Sequence, residues 1–190
     1  TAAAEALRPA GQLAVITGPQ RSGLVQYVAE HVGLGYVNQI AIRKEFPLRT
    51  QSRFAHAHWV INVLTKPRIK HFLTDPQRTF NVPADLPKAA SGADYPQDIW
   101  LDPGRGDRPR LLRYDNALPE RPVRRLVTTL TDEGDHVVDP FLGSGTTAQV
   151  CYELGRRCTA GDINIHAIRF TMARLLDEHI WPAEGTPCAS

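Results

Sequence analysis

The hydrophobic pattern divides the chain into three stretches of different character. In the first, short apolar runs alternate with polar turns. "TAAAEALRPAG" opens as the end of a helix, stopped by Pro9 and Gly11. "QLAVITG" is a compact β-rich run that predicts a buried strand ending at Gly18-Pro19. "GLVQYVAEHVG" sets Leu24, Val25, Tyr27, Val28 and Val32 at helical spacing and closes on Gly33. "YVNQIAIRK" and "HAHWVINVLTK" predict two more strands, with the polar segment "EFPLRTQSRFA" between them. Residues 66–115 break the pattern. Prolines and glycines are frequent there, and no period is sustained, which predicts a long irregular excursion carrying short strands at most. A segment of that length inside a domain tends to be functional. Order returns at "PERPVRRLVTTLT", a helix with Pro119 or Pro122 near its start. Strand "HVVD", a glycine-rich turn, helix "TTAQVCYELG", strand "RCTAGD" and helix "IHAIRFTMARLLDEH" follow, and the tail "WPAEGTPCAS" predicts a loosely held end. Strands alternating with helices make the class α/β, with a largely parallel sheet expected.

Composition narrows this picture only a little. The chain has 190 residues, 42% hydrophobic and 22% charged, which fits a single globular domain with a sizeable core. No apolar run approaches the roughly 20 residues of a membrane helix, and the start lacks the basic and apolar parts of a leader, so a cytoplasmic protein with no membrane partner is expected. The first residue is Thr rather than Met. Cys151, Cys158 and Cys188 are odd in number and have no CxxC spacing, which argues against a disulfide scaffold or zinc ribbon and favours reduced thiols. Net charge is +2, but its distribution is uneven. Arg43, Lys44, Arg49, Arg53, Lys66, Arg68 and Lys70 face one acid, Glu45, and Arg105, Arg108, Arg110 and Arg113 form a second cluster diluted by Asp107. Such clusters suit nucleic-acid phosphates, although a solvated charged face produces them too. His56 and His58 share a face of their predicted strand, but no third ligand accompanies them, so no metal site is expected.

The chemistry concentrates in "VVDPFLGSGTTAQV". "GSGTTA" is a GxGxxA pattern between a strand and a helix. Gly143 permits a tight turn, Gly145 lets a ligand approach the backbone, and Ala148 lets helix and strand pack closely. The helix start offers unpaired N–H groups to an anion, and Ser144, Thr146 and Thr147 add hydroxyls. Asp162, at the end of the next strand, stands where an acid hydrogen-bonds ribose hydroxyls, with Asn164 just beyond. A Walker A loop is excluded because no lysine follows the glycines, and Ser144 in "GSG" is not a nucleophile elbow. The glycines alone leave a nicotinamide or flavin site open. The residues before them favour another ligand: Asp139 can bind an ammonium group and Phe141 can wall a pocket. S-adenosylmethionine has an ammonium, a carboxylate and a ribose, whereas a dinucleotide has no ammonium and its pyrophosphate would be repelled by Asp139.

With "DPFLGSGTT" the sequence resembles the amino-methylating DNA methyltransferases, and more narrowly their permuted β-class, in which the catalytic half precedes the cofactor half. "GRRCTAGDINIHAIRFTMARL" is similar to that family's second cofactor motif, which places Asp162 at the ribose. "LPERPVRRLV" resembles its HPxxKP segment, with Arg121-Pro122 for Lys-Pro and Ala117 for the histidine. "LRPAGQLAVITG", "IAIRK" (Ile42 for the usual Trp), "HWVINVLTK" (Trp59 for the usual acid) and "DIW" extend the likeness from Leu7 to about Leu176. The resemblance implies a Rossmann-like S-adenosylmethionine-dependent methyltransferase sheet in circularly permuted order. Residues 1–65 would be part of the catalytic half, 66–115 an insertion for target recognition, 116–178 the cofactor half and 179–190 a tail, all in a single methyltransferase domain. It further implies cofactor contacts at Asp139, Phe141, Gly143, Ser144, Gly145, Thr146, Thr147, Asp162, Asn164 and Arg121, and duplex DNA held by Arg49, Arg53, Arg68 and Arg105. The setting it implies is restriction-modification.

The family's catalytic tetrapeptide, Asp, Asn or Ser followed by Pro-Pro and an aromatic residue, does not occur. "TGPQ", "TDPQ", "LDPG" and "DYPQ" each lack the second proline and the aromatic. In the family's sheet that motif's strand lies between "VVD" and "LAVIT", so the central catalytic strand is missing from these residues. The expected function is methyl transfer to N6 of adenine or N4 of cytosine in DNA, complete only with an upstream catalytic segment. A second chain, as in a homodimer, is another source of the strand. The alternative is an inactive methyltransferase-like module that binds nucleotide or DNA. An unpermuted RNA or protein methyltransferase is disfavoured, because no catalytic motif follows the glycine loop.

Overall fold

The computed structural model describes residues 2–44, 54–67, 97–101 and 117–177. The chain forms two compact units, Thr1–Arg105 and Gly106–Ser190, whose boundary falls within the proline- and glycine-rich excursion. Among the described residues no helix is long and apolar enough to cross a membrane.

The first unit carries α1 (Ala2–Ala6), β1 (Gln12–Thr17), α2 (Pro19–His31), β2 (Gly35–Arg43), β3 (His58–Thr65) and the two-residue β4 (Ile99–Trp100). Its sheet has the order β1-β3-β2-β4. The expected largely parallel sheet is corrected here. β3 runs antiparallel to both neighbours, with Ile16 opposite Ile61 on one side and Ile40 opposite Ile61 on the other, and only β4 lies parallel to β2. No described helix separates β2 from β3, so the chain reverses instead of crossing over. β3 is an interior strand, and Val60 to Leu64, Asn62 included, are buried without a break, so burial along it is continuous rather than alternating. His56 lies ahead of β3, so the expected alternation of His56 and His58 along one strand is not formed.

α2 begins four residues earlier than its apolar spacing predicts. Pro19 occupies the first helical position after Gly18, where a missing N–H costs nothing. The polar first turn has a use, since buried Ser22 donates to Asn62 Oδ1 of β3 (3.0 Å), and Gln39 of β2 donates to Ser22 (2.7 Å). Asn62 thus enters the core with its carbonyl oxygen satisfied. The helix ends where Gly33 predicts: Leu34 N–H donates to Ala29 O (2.9 Å), and Leu34, Ala29, Ala4 and Leu64 form the apolar cluster on that side. Lys66, counted above in a basic cluster, donates its ammonium to the carbonyls of Leu7 (2.8 Å) and Glu5 (3.3 Å) at the end of α1.

The second unit carries α3 (Glu120–Leu130), β5 (His136–Asp139), α4 (Thr146–Glu153), β6 (Arg157–Ala160) and α5 (Ile165–Asp177). β5 and β6 pair in parallel from His136 opposite Arg157 to Asp139 opposite Ala160, with α4 as the crossover. Val123 and Val127 of α3 pack on fully buried Val150 and Cys151 of α4, and Leu118, Val137, Leu154 and Cys158 close this core. Each such aliphatic side chain contributes about 1.5–3 kcal/mol on burial. Cys151 and Cys158 are free thiols. Among the described residues β6 is the one strand paired with β5, and Val138 of β5 is 61% exposed.

Candidate cofactor-binding site

The β5–β6 ladder continues into both connecting loops. Gly161 N–H donates to Asp139 O (2.9 Å) and Leu142 N–H donates to Gly161 O (2.8 Å). The two segments therefore leave the strands side by side, and this carries Asp162 to the glycines. Gly143 N–H donates to Asp162 Oδ2 (2.9 Å) and Asn164 N–H donates to Asp162 Oδ1 (2.8 Å). Asn164 in turn caps α5, its Oδ1 accepting from His166 N–H (2.9 Å). The two backbone donors, that of Asn164 first and that of Gly143 second, hold the Asp162 carboxyl below its ordinary value. Each oxygen accepts one such bond, and a carboxylate has further lone pairs for a ligand's hydroxyls.

Leu142 to Gly145 form a tight turn closed by Gly145 N–H to Leu142 O (2.9 Å). The backbone is left-handed at Gly143 (φ 52°) and Gly145 (φ 81°), and Gly145 is the residue from which α4 starts. The first N–H groups of α4 have no acceptor within the helix and carry the positive end of its dipole. The side-chain direction at Gly145 is filled from α5. A Cβ on Gly145 would lie 2.3 Å from Thr171 Cγ2, so that space belongs to a side chain of α5.

Two of the hydroxyls expected at the ligand are also turned inward. Ser144 is 6% exposed and Thr146 is 7% exposed. Thr146 Oγ1 donates to Leu118 O (3.3 Å) and lies 3.2 Å from Ser144 Oγ. Their work is to hold the loop to the segment that leads into α3. That segment contains Ala117, where the resemblance expects a histidine, and half-buried Arg121 stands in the first turn of α3. Thr147 is half-buried in the first turn of α4. Asp139 Oδ1 accepts from Phe141 N–H (2.9 Å), which bends the chain after Pro140 and presents the Phe141 ring, 85% exposed. Fully exposed Ile163, next to Asp162, is a second apolar side chain that the sequence did not single out. Thr171 and Arg174 of α5 were missed as well, and their one signal is the three-residue spacing that puts polar side chains on the same face of an otherwise amphipathic helix. Arg49, Arg53, Arg68 and Arg105, the expected DNA contacts, lie outside the described residues.

The fold class is α/β, with a strand, glycine turn, helix, strand and acid in one β5–α4–β6 unit. Residues 1–173 match the DNA methylase family of N6/N4 methyltransferases, and the chain belongs to that family. The type II methyltransferase M2.DpnII of Streptococcus pneumoniae is 26% identical over 182 residues, a match that covers 93% of this chain and 65% of that protein. The type II methyltransferase M.BamHI of Bacillus amyloliquefaciens is 29% identical over 175 residues, covering 80% of this chain and 38% of that protein. The chain thus spans less than two thirds of the length of these curated relatives. Among solved structures, the M1.HpyAVI–SAM complex has a similar fold, with a TM-score of 0.67 at 17% identity, over 88% of this chain and 76% of that one.

Proposed function

We propose that this chain binds S-adenosylmethionine at the β5–α4–β6 loop and serves a DNA methyltransferase that acts on N6 of adenine or N4 of cytosine. The observation that carries the reading is the pairing of Gly143 N–H with Asp162, which puts a charged acid beside a helix N-terminus. The residues present fit the group. Asp162 retains lone pairs for a ribose diol, and the start of α4 suits a carboxylate. Asp139 keeps one oxygen beyond its bond to Phe141 for an ammonium, and Phe141 and Ile163 offer apolar surface for an adenine ring. When bound, S-adenosylmethionine supplies a methyl group on a positively charged sulfur. Gly143, Gly145 and α4 orient its amino-acid end, and Asp162 fixes the nucleoside.

The family match runs through both compact units, which supports reading them as halves of one permuted domain with the β1–β4 half first. The base-clamping strand would pair with the edge of β5 that no described strand covers and come from an upstream segment or a second chain. The longer relatives, and the pairing of β5 with β6 alone among the described residues, support this. Duplex DNA would be the partner, with Arg49, Arg53, Arg68 and Arg105 at its phosphates. The test uses labelled S-adenosylmethionine, duplex DNA and mass spectrometry of the digested nucleosides. A form that carries the proposed upstream segment is expected to yield N6-methyladenine or N4-methylcytosine, whereas residues 1–190 alone are expected to bind the cofactor without transfer. Label on cytosine C5, or no cofactor binding by either form, would overturn the reading.

A further inference from the structure

We propose that Thr171 and Arg174 of α5 are positioning residues for the glycine loop and set its affinity for the amino-acid end of the cofactor; this rests on the reading of the loop given above. Thr171 is 2% exposed and its Oγ1 donates to Gly143 O (3.0 Å). Arg174 is 7% exposed, and its guanidinium donates from Nη1 to Ser144 O (2.8 Å) and from Nη2 to Gln149 Oε1 of α4. Two successive carbonyls of the turn are thus tied to one helix face.

The consequence follows from peptide geometry. In a trans peptide the carbonyl and the next N–H point in opposite directions. Tying Gly143 O to Thr171 turns Ser144 N–H away from α5. Tying Ser144 O to Arg174 keeps Gly145 N–H on Leu142 O, which closes the turn. Glycines flank Ser144 on both sides and have little torsional preference of their own. Without α5 the turn would exchange among several shapes, and ordering it would weaken binding. Arg174 is braced in turn, because Gln149 donates to Glu153 Oε1 (3.0 Å) and Glu153 accepts from Arg124 of α3. Its cation also adds to the positive end of α4, which the amino-acid carboxylate would meet. Asp162 meets this arrangement only at Gly143 N–H, which belongs to the peptide before the tied carbonyls, so the nucleoside end should be far less sensitive to it.

The test compares S-adenosylmethionine with 5′-methylthioadenosine, which carries the same nucleoside but no amino acid, by calorimetric titration of the intact protein. Thr171→Val removes one hydroxyl at nearly constant volume and is expected to weaken S-adenosylmethionine about fivefold to tenfold, the scale of one hydrogen bond. Methylthioadenosine affinity is expected to stay within about twofold, and Thr171→Ser to restore wild-type binding. Arg174→Lys, which keeps the charge but cannot reach both acceptors, is expected to show the same selective loss. Equal losses for both ligands, or unchanged affinity in folded Thr171→Val, would overturn the positioning role. A wild-type protein that binds methylthioadenosine and S-adenosylmethionine equally would instead overturn the assignment of the loop to the amino-acid end.

Discussion

Gly145→Ala is expected to destabilise the protein by about 2–5 kcal/mol and to abolish measurable S-adenosylmethionine binding. Two costs combine. The left-handed backbone at φ 81° costs any side-chain-bearing residue about 1–2 kcal/mol, and forcing a methyl group into a filled space costs about 1–3 kcal/mol more. The filled space is specific, since the new Cβ would stand 2.3 Å from Thr171 Cγ2 and 2.9 Å from its Oγ1. Either α5 or the turn must shift, and both carry the hydrogen bonds that shape the loop. Urea unfolding measures the first effect and calorimetric titration the second. Combining Gly145→Ala with Thr171→Ser, which removes the nearest methyl, should recover part of the lost stability. An alanine variant as stable as wild type, with its affinity intact, would show that α5 does not crowd the turn.

The strand–turn–helix–strand–acid unit was legible in the sequence because each part has a local signature. Gly143 and Gly145 mark left-handed backbone, the apolar "HVV" marks β5, and the acid after β6 sits at the family's spacing. What these residues face was not legible. Ser144 and Thr146 are polar in sequence and buried in the structure, because their partners, Leu118 O and each other, are set by tertiary packing. The pattern marks Gly145 as a glycine but not that its side-chain direction is filled, since the neighbour that fills it, Thr171, is remote in sequence. In the first unit the strands were found, but their direction was not. Apolar periodicity predicts that β2 and β3 exist, and it says nothing about whether the chain crosses over or turns back between them. The start of α2 was missed for a related reason: its first turn buries Ser22 against Asn62, and a buried polar residue does not register in a hydrophobic pattern.

Asp162→Ala is expected to lower S-adenosylmethionine affinity about a hundredfold, the scale of losing two charge-assisted hydrogen bonds to a diol. The substitution acts twice, because Asp162 is the proposed ribose ligand and also accepts from Gly143 N–H and Asn164 N–H. Asp162→Asn also disturbs both roles while keeping the side chain's size. Its single amide oxygen can keep one of the backbone bonds but puts an NH2 group against the other donor, so it should bind weakly and also unfold more easily. The pH dependence has a definite sign. The folded-state carboxyl sits below its ordinary value, held there by Asn164 N–H and then Gly143 N–H. Its contribution to stability is therefore fully present above the ordinary value and is lost as pH falls through the lower folded-state value. The difference in urea midpoint between wild type and Asp162→Asn should be level from pH 8 to about 5 and should shrink once the unfolded chain begins to protonate, below about pH 4. Cofactor affinity should be equally level over the upper range, because the ligand-facing group keeps its charge there. A gap in midpoint that widens toward acid, or an Asp162→Ala variant with undiminished affinity, would mean that the carboxylate is held by other groups and that the nucleoside lies elsewhere.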